Sequence, residues 1–251
     1  MTDAARKTFR GITNDVAWQK QLRDKFNAEG VPAGVPHLDV KRAIVRPVSR
    51  RVAEAIILKY EWLGTMSSGS RYHFGIFFGN YCAGVTCVVH GSGTGGTPHT
   101  LWRIEPRDHC VLARGACVHW APKGTNSKLV SWTVRLLRQK KIGKIIVAYA
   151  DSDAGEIGTI YQACGWYYVG KGSSTRQWIA TNGRVYDQKR PWDFARTRGG
   201  TRAQWAAAMR KAGWKEQKTN AKHRYVQLID LEDSQLLSRV RELQQAYPKR
   251  G

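Results

Sequence analysis

The sequence predicts an α+β fold in which a mixed central sheet is flanked by helices, with a basic C-terminal extension. Continuous apolar runs at 145–149 and 166–169 predict two buried strands, and the short stretch between them that carries Tyr161 predicts a helix. The runs 72–79 and 81–89 meet at a Gly-Asn pair typical of tight turns and predict a hairpin. Strands and helices therefore alternate along the chain, as in layered domains.

The N-terminal part, residues 1–40, predicts a helix and a linker. It is polar and helix-prone, and three apolar residues share one helical face: Val16, Leu22 and Phe26. The linker is the glycine- and proline-rich segment 30–36. A strand is expected at 43–47, and Ser49 is expected to cap the following helix, whose apolar residues recur at three- and four-residue steps.

The middle of the chain predicts a loop, a central strand and a long helix. The glycine-rich segment 91–97 is interpreted as a mobile loop or lid, with phosphate binding as the alternative, although it lacks the Lys-Ser/Thr ending of a P-loop. Residues 108–120 predict one bent strand, and an amphipathic helix follows. Either Asn126 or Ser127 is expected to cap that helix.

The last quarter of the chain predicts two helices and a strand. Thr201 and Gln204 have the spacing of a capping box that opens a helix at 205–212. Residues 223–229 predict a strand. A final amphipathic helix is marked by four apolar residues: Leu236, Leu237, Val240 and Leu243.

Charge is the strongest global feature of the sequence. Forty-one Lys and Arg against 19 Asp and Glu give a net charge of +22, which favours a polyanionic partner. From Lys171 to Arg224 there are 14 Lys and Arg and only three Asp and Glu. Four tryptophans lie among them and suit base stacking, unless they only pack inward: Trp178, Trp192, Trp205 and Trp214.

Several functional classes are not favoured by the composition. Five cysteines without a Cys-x-x-Cys pair favour neither a disulfide framework nor a zinc site, although a catalytic thiol stays an alternative. No histidine pair has helical metal-ligand spacing, so no metal is predicted. The sequence shows neither an apolar run long enough to span a membrane nor a signal peptide. We expect a cytoplasmic protein with no membrane partner.

Three motifs carry a resemblance to a known family. They are Tyr149-Ala-Asp-Ser-Asp153 with Gly158-Thr-Ile-Tyr-Gln-Ala163, then Tyr60–Met66, and Lys222–Val226. Over roughly positions 40 to 228, the chain resembles the Mom-type DNA adenine-modification proteins, a divergent branch of the GNAT acyltransferase superfamily. The resemblance implies a GNAT-like catalytic core at 41–175. It also implies that a basic, Trp-containing region at 176–251 completes the fold and contacts DNA.

The resemblance implies a phage enzyme that converts adenine in double-stranded DNA to N6-carbamoylmethyladenine and so protects the DNA from host restriction. It would act in the host bacterial cytoplasm with a small-molecule donor, acetyl-CoA or a related acyl donor. Two alternatives stay open: an ordinary acetyl-CoA-dependent N-acetyltransferase acting on a protein or small amine, and a DNA-binding protein without catalysis. The oligomeric state is open between a monomer and a homodimer.

The expected donor site is the loop at the start of the long helix. A helix N-terminus attracts phosphate, and the equivalent GNAT loop binds the pyrophosphate of acetyl-CoA. The cofactor-binding candidates are Lys123, Gly124, Thr125, Asn126 and Ser127. The loop departs from the usual signature of Arg or Gln, two residues, Gly, one residue, and Gly or Ala, because it has one glycine.

Five residues are candidates for catalysis: Tyr60, Arg114, Ser127, Asp151 and Tyr161. Tyr161 is the expected general acid for a departing thiolate, because a phenol has a suitable pKa. Tyr60 would stack on an extruded adenine or orient its amine. Asp151 would act as a base or orient the amine, with turn formation as the alternative. A buried Arg114 requires an anionic partner.

The positions of the basic residues predict the DNA surface. The candidates are Lys189, Arg190, Arg196, Arg198, Arg202, Lys222 and Arg224. Some family members carry His before the Tyr at position 60, and Lys59 in this chain weakens a metal role there.

Overall fold

The structure is a computed structural model that describes residues 17–67, 69–90, 99–183 and 185–249. The predicted loop 91–97 and the N-terminal residues up to Val16 lie outside the described residues. A seven-stranded sheet forms the centre of the fold, in the order β1-β2-β3-β4-β5-β10-β6. Its strands are β1 (Ile44–Pro47), β2 (Ser70–Phe78), β3 (Tyr81–His90), β4 (His109–Cys117), β5 (Ile145–Ala150), β6 (Tyr167–Lys171) and β10 (His223–Leu228).

The sheet is mixed, and the two strands of its one parallel pair separate part-way along their length. All neighbouring strands in this sheet are antiparallel except β4 and β5, which pair from His109–Ile145 to Leu112–Ala148. Beyond Leu112, β4 stays with β3, while β5 continues beside β10. A register shift between Cys87 and Val88 of β3 lies opposite this point, and such bulges increase local twist. The two strands therefore separate and leave an opening at their carboxyl ends, which we call the β4/β5 opening.

Helices cover both faces of this sheet. They are α1 (Trp18–Asp24), α2 (Arg50–Tyr60), α3 (His99–Trp102), α4 (Thr125–Gln139), α5 (Thr159–Ala163) and α8 (Ser234–Glu242). Ile146 and Ala148 of β5 point into the main core with α2 and α4, while Ile145 and Val147 point to the other face, with α8. This alternation explains why the strand is apolar throughout. The predicted α+β fold with a mixed central sheet flanked by helices is confirmed.

The basic residues lie in an insertion and not in a terminal extension. A second sheet, in the order β8-β7-β9, consists of β7 (Arg176–Ile179), β8 (Val185–Asp187) and β9 (Lys215–Lys218), with α6 (Arg190–Arg198) and α7 (Arg202–Lys211) between β8 and β9. We call residues 172–222 the basic module. After it, β10 returns to the main sheet between β5 and β6, because Tyr225, Val226 and Leu228 are buried there.

Two predicted helix starts are confirmed, and a third is wrong. Ser49 accepts a hydrogen bond from the Val52 N–H, and Thr201 forms the predicted capping box with Gln204. In contrast, neither Asn126 nor Ser127 caps α4. Gly124 occupies the cap position with a φ of 90°, and no side chain accepts a hydrogen bond there. This left-handed conformation favours glycine and begins the helix earlier than expected.

Among the described residues, no helix is both long and apolar enough to cross a bilayer.

Candidate active site

A cavity lies at the start of α4 and contains all five predicted donor-binding residues. Its volume is about 260 Å³. It is lined by Arg23, Cys117, Ala121, Pro122, Lys123, Gly124, Thr125, Asn126, Ser127 and Ile160. Arg23 comes from α1 and was missed by sequence reasoning, because nothing in the local pattern indicates that α1 folds onto a loop a hundred positions away.

The uncapped end of α4 offers donors to this cavity. Thr125 N–H donates to the Pro122 carbonyl at 3.2 Å, and Lys128 N–H donates to the Gly124 carbonyl at 3.0 Å. Within the described part of the chain, the N–H groups of Asn126 and Ser127 have no acceptor. These donors, the positive end of the helix dipole and the cations of Arg23 and Lys123 make the cavity suitable for a phosphate group.

Glu61 and Arg114 meet near the β4/β5 opening. Glu61 ends α2, is only 6% exposed, and accepts a hydrogen bond from the Gly64 N–H at 3.0 Å. Burial raises the pKa of Glu61 to about 7, although the Arg114 charge opposes the shift. Arg114 donates to the carbonyls of Thr65 at 2.8 Å and Ala113 at 2.7 Å. No carboxylate of the described residues forms an ion pair with it, so its expected anionic partner is replaced by backbone oxygens.

Asp151 follows β5 and already has partners for both carboxylate oxygens. It is 7% exposed, lies 2.8 Å from the Lys222 ammonium, and accepts from the Asp153 N–H at 3.0 Å. The turn role that was the alternative for Asp151 is therefore present. Because Lys222 and the Asp153 N–H occupy both carboxylate oxygens, Asp151 suits an amine-orienting role better than that of a free base.

The turn that carries Asp151 is attached to the basic module by three consecutive contacts. Beyond the Asp151–Lys222 pair, Ser152 Oγ donates to the Ala221 carbonyl at 3.2 Å. Asp153 accepts from the Asn220 N–H at 2.9 Å and from its Nδ2 at 2.6 Å. Because residues 220–222 lead from β9 to β10, the geometry of this turn is linked directly to the module.

Glu156 is a second carboxyl group that sequence reasoning missed. Its Oε2 accepts from the Asp151 N–H at 3.3 Å, and its own N–H donates to the Asp151 carbonyl at 3.0 Å. Burial, together with the neighbouring carboxylates of Asp151 and Glu61, raises the pKa of Glu156 to about 7. Within the described ranges, no Lys or Arg nitrogen lies within 4.0 Å of either glutamate, in contrast to Asp151.

Tyr161 lies on α5 beside Glu156. Its ring packs 5.2 Å from Trp166 and 5.3 Å from Tyr225, centroid to centroid. Burial raises the pKa of Tyr161, and the charge of Glu156 adds to the shift. Tyr161 is therefore protonated at neutral pH, as a general acid must be, but it is a weaker acid than an exposed phenol.

Tyr60 lies in the core and is bonded to a histidine. Its hydroxyl lies 3.1 Å from His119 Nδ1, and His119 Nε2 lies 2.8 Å from the Gly30 carbonyl. A carbonyl only accepts, so Nε2 carries the proton, and Nδ1 of the neutral ring accepts from Tyr60. The Tyr60 ring is 6% exposed and packs edge-on against Phe26 at 5.1 Å. In this arrangement the ring has no free face to stack on an extruded base.

The predicted catalytic residues fall into two groups. Arg114, Asp151 and Tyr161 belong to one electrostatic cluster, which also contains Glu61, Glu156 and Lys222. Ser127 lines the cavity at the start of α4, together with Ile160, the neighbour of Tyr161 on α5. Tyr60 is linked to the cluster through its sequence neighbour Glu61.

The predicted DNA-binding residues lie in two parts of the structure. Lys189, Arg190, Arg196, Arg198 and Arg202 lie on or beside α6 and α7 of the basic module. Lys222 lies in the cluster, and Arg224 of β10 donates to the Val169 carbonyl at 3.3 Å inside the main sheet. Lys222 and Arg224, two of the seven predicted DNA-binding residues, therefore lie apart from α6 and α7.

Comparison with protein families identifies the chain. A model described as the Mom protein family matches residues 42–249, most of the sequence. The chain belongs to the Mom protein family. Membership supports a role in phage DNA modification. A comparison with curated proteins found no match.

Solved structures give weaker likenesses. The Mom-family chain is similar to FeeM, an N-acyl amino acid synthase from uncultured soil microbes, with 14% identity, a TM-score of 0.43, and coverage of 79% of this chain and 97% of that one. Spermidine N-acetyltransferase from Vibrio cholerae has 8% identity, a TM-score of 0.43, and coverage of 78% and 99%. The ribosomal-protein-S18-alanine N-acetyltransferase from Escherichia coli has 8% identity, a TM-score of 0.40, and coverage of 76% and 97%.

Proposed function

We propose that this Mom-family chain modifies adenine in double-stranded DNA and produces N6-carbamoylmethyladenine, which protects phage DNA from restriction. The observation that carries the proposal is the cluster of three carboxyl groups, two cations and a phenol around the β4/β5 opening, in which Glu61 and Asp151 are buried. Strand carboxyl ends of α/β sheets are where ligands bind, and perturbed carboxyl pKa values are typical of acid–base sites.

The donor is proposed to be acetyl-CoA or a related acyl donor whose phosphates bind at the start of α4. The cavity there provides two free backbone N–H groups together with Arg23 and Lys123. Ser127 lies at the same helix end, where its hydroxyl can bond to the donor.

The cluster supplies the proton transfers for reaction at an amine. The adenine N6 nitrogen forms a bond to the donor carbon, and the leaving group departs with its electron pair. One N6 proton passes to an unpaired carboxylate, Glu156 or Glu61, whose raised pKa makes it a better base at neutral pH than an ordinary glutamate. Tyr161 protonates the leaving group, and Asp151, held by Lys222, orients the amine.

The product sets one further requirement on the reaction. Transfer of an acetyl group alone would leave an amide on N6. Formation of the carbamoylmethyl group from an acetyl donor therefore requires a nitrogen-donating reactant, attachment of N6 to the former methyl carbon, and a two-electron oxidant that accepts a hydride equivalent from that carbon.

The basic module is proposed to hold the DNA. Lys189, Arg190, Arg196, Arg198 and Arg202 concentrate positive charge on its two helices. The bonds between residues 220–222 and the Asp151 turn connect this surface to the cluster. DNA bound on the module is therefore held in a fixed relation to the acid–base groups.

An ordinary acetyl-CoA-dependent N-acetyltransferase is the alternative, and the cavity at α4 favours it equally. The discriminating experiment expresses the chain in a bacterium, digests its DNA to nucleosides and analyses them by mass spectrometry. The proposal predicts an adenosine species heavier by a carbamoylmethyl group, absent from cells with the empty vector. Unmodified DNA from cells that contain abundant folded protein, together with turnover of acetyl-CoA on a free amine, would establish the alternative.

A further inference from the structure

Trp192 differs from the other tryptophans of the basic module because its side chain faces solvent. It is 59% exposed and lies in the first turn of α6. Trp178 is 3% exposed, Trp205 donates through Nε1 to the Gly199 carbonyl at 2.8 Å, and Trp214 stacks on Tyr186 at 4.9 Å. Within the described residues, Trp192 has no aromatic or cation–π partner. The large aromatic surface of this indole is therefore available for a contact.

The surroundings of Trp192 are cationic. Residues 189–202 contain five Lys and Arg and one Asp. Arg196 follows one helical turn after Trp192 and therefore shares its face, and its side chain is 64% exposed. A surface on which a single large aromatic group is surrounded by positive charge matches a polyanion that also has flat apolar groups.

Two arginines of α6 are partly fixed by stacking on Phe194, which lies on the opposite face of the helix from Trp192. Arg190 lies 4.4 Å and Arg198 4.7 Å from the centroid of the Phe194 ring, and Arg190 also lies 4.8 Å from that of Tyr186. These contacts limit the freedom of the side chains before any ligand binds, which lowers the entropic cost of binding. These ordered guanidinium groups add positive charge to the helix, and Arg196 lies on the same face as the exposed indole.

Charge and shape favour nucleic acid as the occupant of this surface. A protein interface or a membrane contact normally buries several apolar side chains together. Among the described residues of the basic module, Trp192 is the only large hydrophobic residue that is exposed. A nucleobase supplies a flat π-face for one indole, and the adjacent phosphates supply the negative charge.

We propose that Trp192 stacks on a nucleobase of the DNA bound to α6, while Arg196, Arg198 and Arg202 contact its phosphates. This inference rests on the proposed DNA-modifying function and adds a base-contacting residue outside the reacting cluster. Stacking and phosphate binding differ in their response to salt. Loss of a phosphate contact changes the salt dependence of binding, whereas loss of a stacked base changes the affinity alone.

The test measures binding of a fluorescein-labelled duplex by anisotropy at several salt concentrations. Trp192→Ala should weaken binding about 5- to 140-fold, the equivalent of one stacked base, without a change in the salt slope. Arg202→Ala should lower the slope by about 0.9. Trp192→Phe should retain most of the affinity. Leu231→Ala is the matched control, because Leu231 is also 59% exposed but lies outside the module.

A second readout detects the stacking itself. A duplex that carries 2-aminopurine at successive positions should show a change of emission at one position with the unmutated protein and with Trp192→Phe, but not with Trp192→Ala. Unchanged affinity of Trp192→Ala would overturn the inference, as would a loss of self-association in sedimentation with DNA binding intact. If the unmutated protein modifies DNA but Trp192→Ala binds normally, only this inference fails. Failure of the unmutated protein to bind any duplex would overturn the proposed function as well.

Discussion

Replacement of Glu61 by Gln tests whether the cluster holds a carboxyl group that is protonated near neutral pH. Glu61 is 6% exposed, and its pKa rises from 4.5 to about 7 because burial disfavours the charged form. A glutamine keeps the shape and an oxygen that accepts from the Gly64 N–H, which Glu61 bonds at 3.0 Å. The substitution therefore removes the titration with little other change.

The size of the effect follows from the difference in pKa between the folded and unfolded states. A carboxyl group with a raised pKa binds more protons in the folded state, so its stabilisation is complete below pH 4.5 and is lost as the pH rises through about 7. Each pKa unit is worth about 1.36 kcal/mol, so the full loss from Glu61 is about 3 kcal/mol. From pH 5 to pH 8, the free energy of unfolding of the unmutated protein should therefore fall by about 3 kcal/mol relative to that of Glu61→Gln.

The assay is urea unfolding of both proteins at pH 5, 6, 7 and 8. The difference in the free energy of unfolding should grow in favour of Glu61→Gln by about 3 kcal/mol across this range. Glu232→Gln, at an exposed glutamate, is the control and should track the unmutated protein. If the difference in the free energy of unfolding between the two proteins stays constant with pH, Glu61 is charged throughout this range and its pKa is not raised.

Two further predictions concern the acid and the DNA surface. Tyr161→Phe should abolish adenine modification and leave the duplex affinity nearly unchanged, because Tyr161 lies in the cluster and not on the basic module; nucleoside mass spectrometry and anisotropy measure the two effects. A fully active Tyr161→Phe would remove this residue from the site. Simultaneous replacement of Arg196, Arg198 and Arg202 by Ala should lower the salt slope by about 2.7, at about 0.9 per phosphate contact. An unchanged slope would exclude these arginines from the DNA surface.

The strands of the main sheet were predictable because buried strands appear in the sequence as local runs of apolar residues. β5 is apolar on both faces, and the hairpin of β2 and β3 has apolar runs on either side of the predicted turn pair. Within the basic module, α7 was predicted from its capping box, but the three strands and α6 were not. The module's strands are three or four residues long and carry charges such as Arg176, Lys215 and Lys218, so no alternation of apolar residues marks them.

The site was predicted in part, because the chemistry of several groups comes from tertiary burial. Glu61 and Glu156 look like ordinary surface glutamates in the sequence, and only packing gives both a pKa near 7. Likewise, Arg23 reaches the cavity and His119 bonds Tyr60 through contacts distant in sequence. In contrast, the donor loop was predictable because a loop before an amphipathic helix is a local feature.

The cluster at the β4/β5 opening is proposed to modify adenine through Glu61 or Glu156 as the base. This is tested by expressing the unmutated protein, a Glu61→Gln/Glu156→Gln double variant and the exposed control Glu232→Gln under equal conditions and quantifying nucleosides from the cellular DNA by mass spectrometry. Loss of a general base costs about 100- to 10,000-fold in rate. The heavier adenosine is expected with the unmutated protein and with Glu232→Gln, and its loss is expected with the soluble, folded double variant. Equal yields from all three proteins would show that the cluster does not carry the reaction.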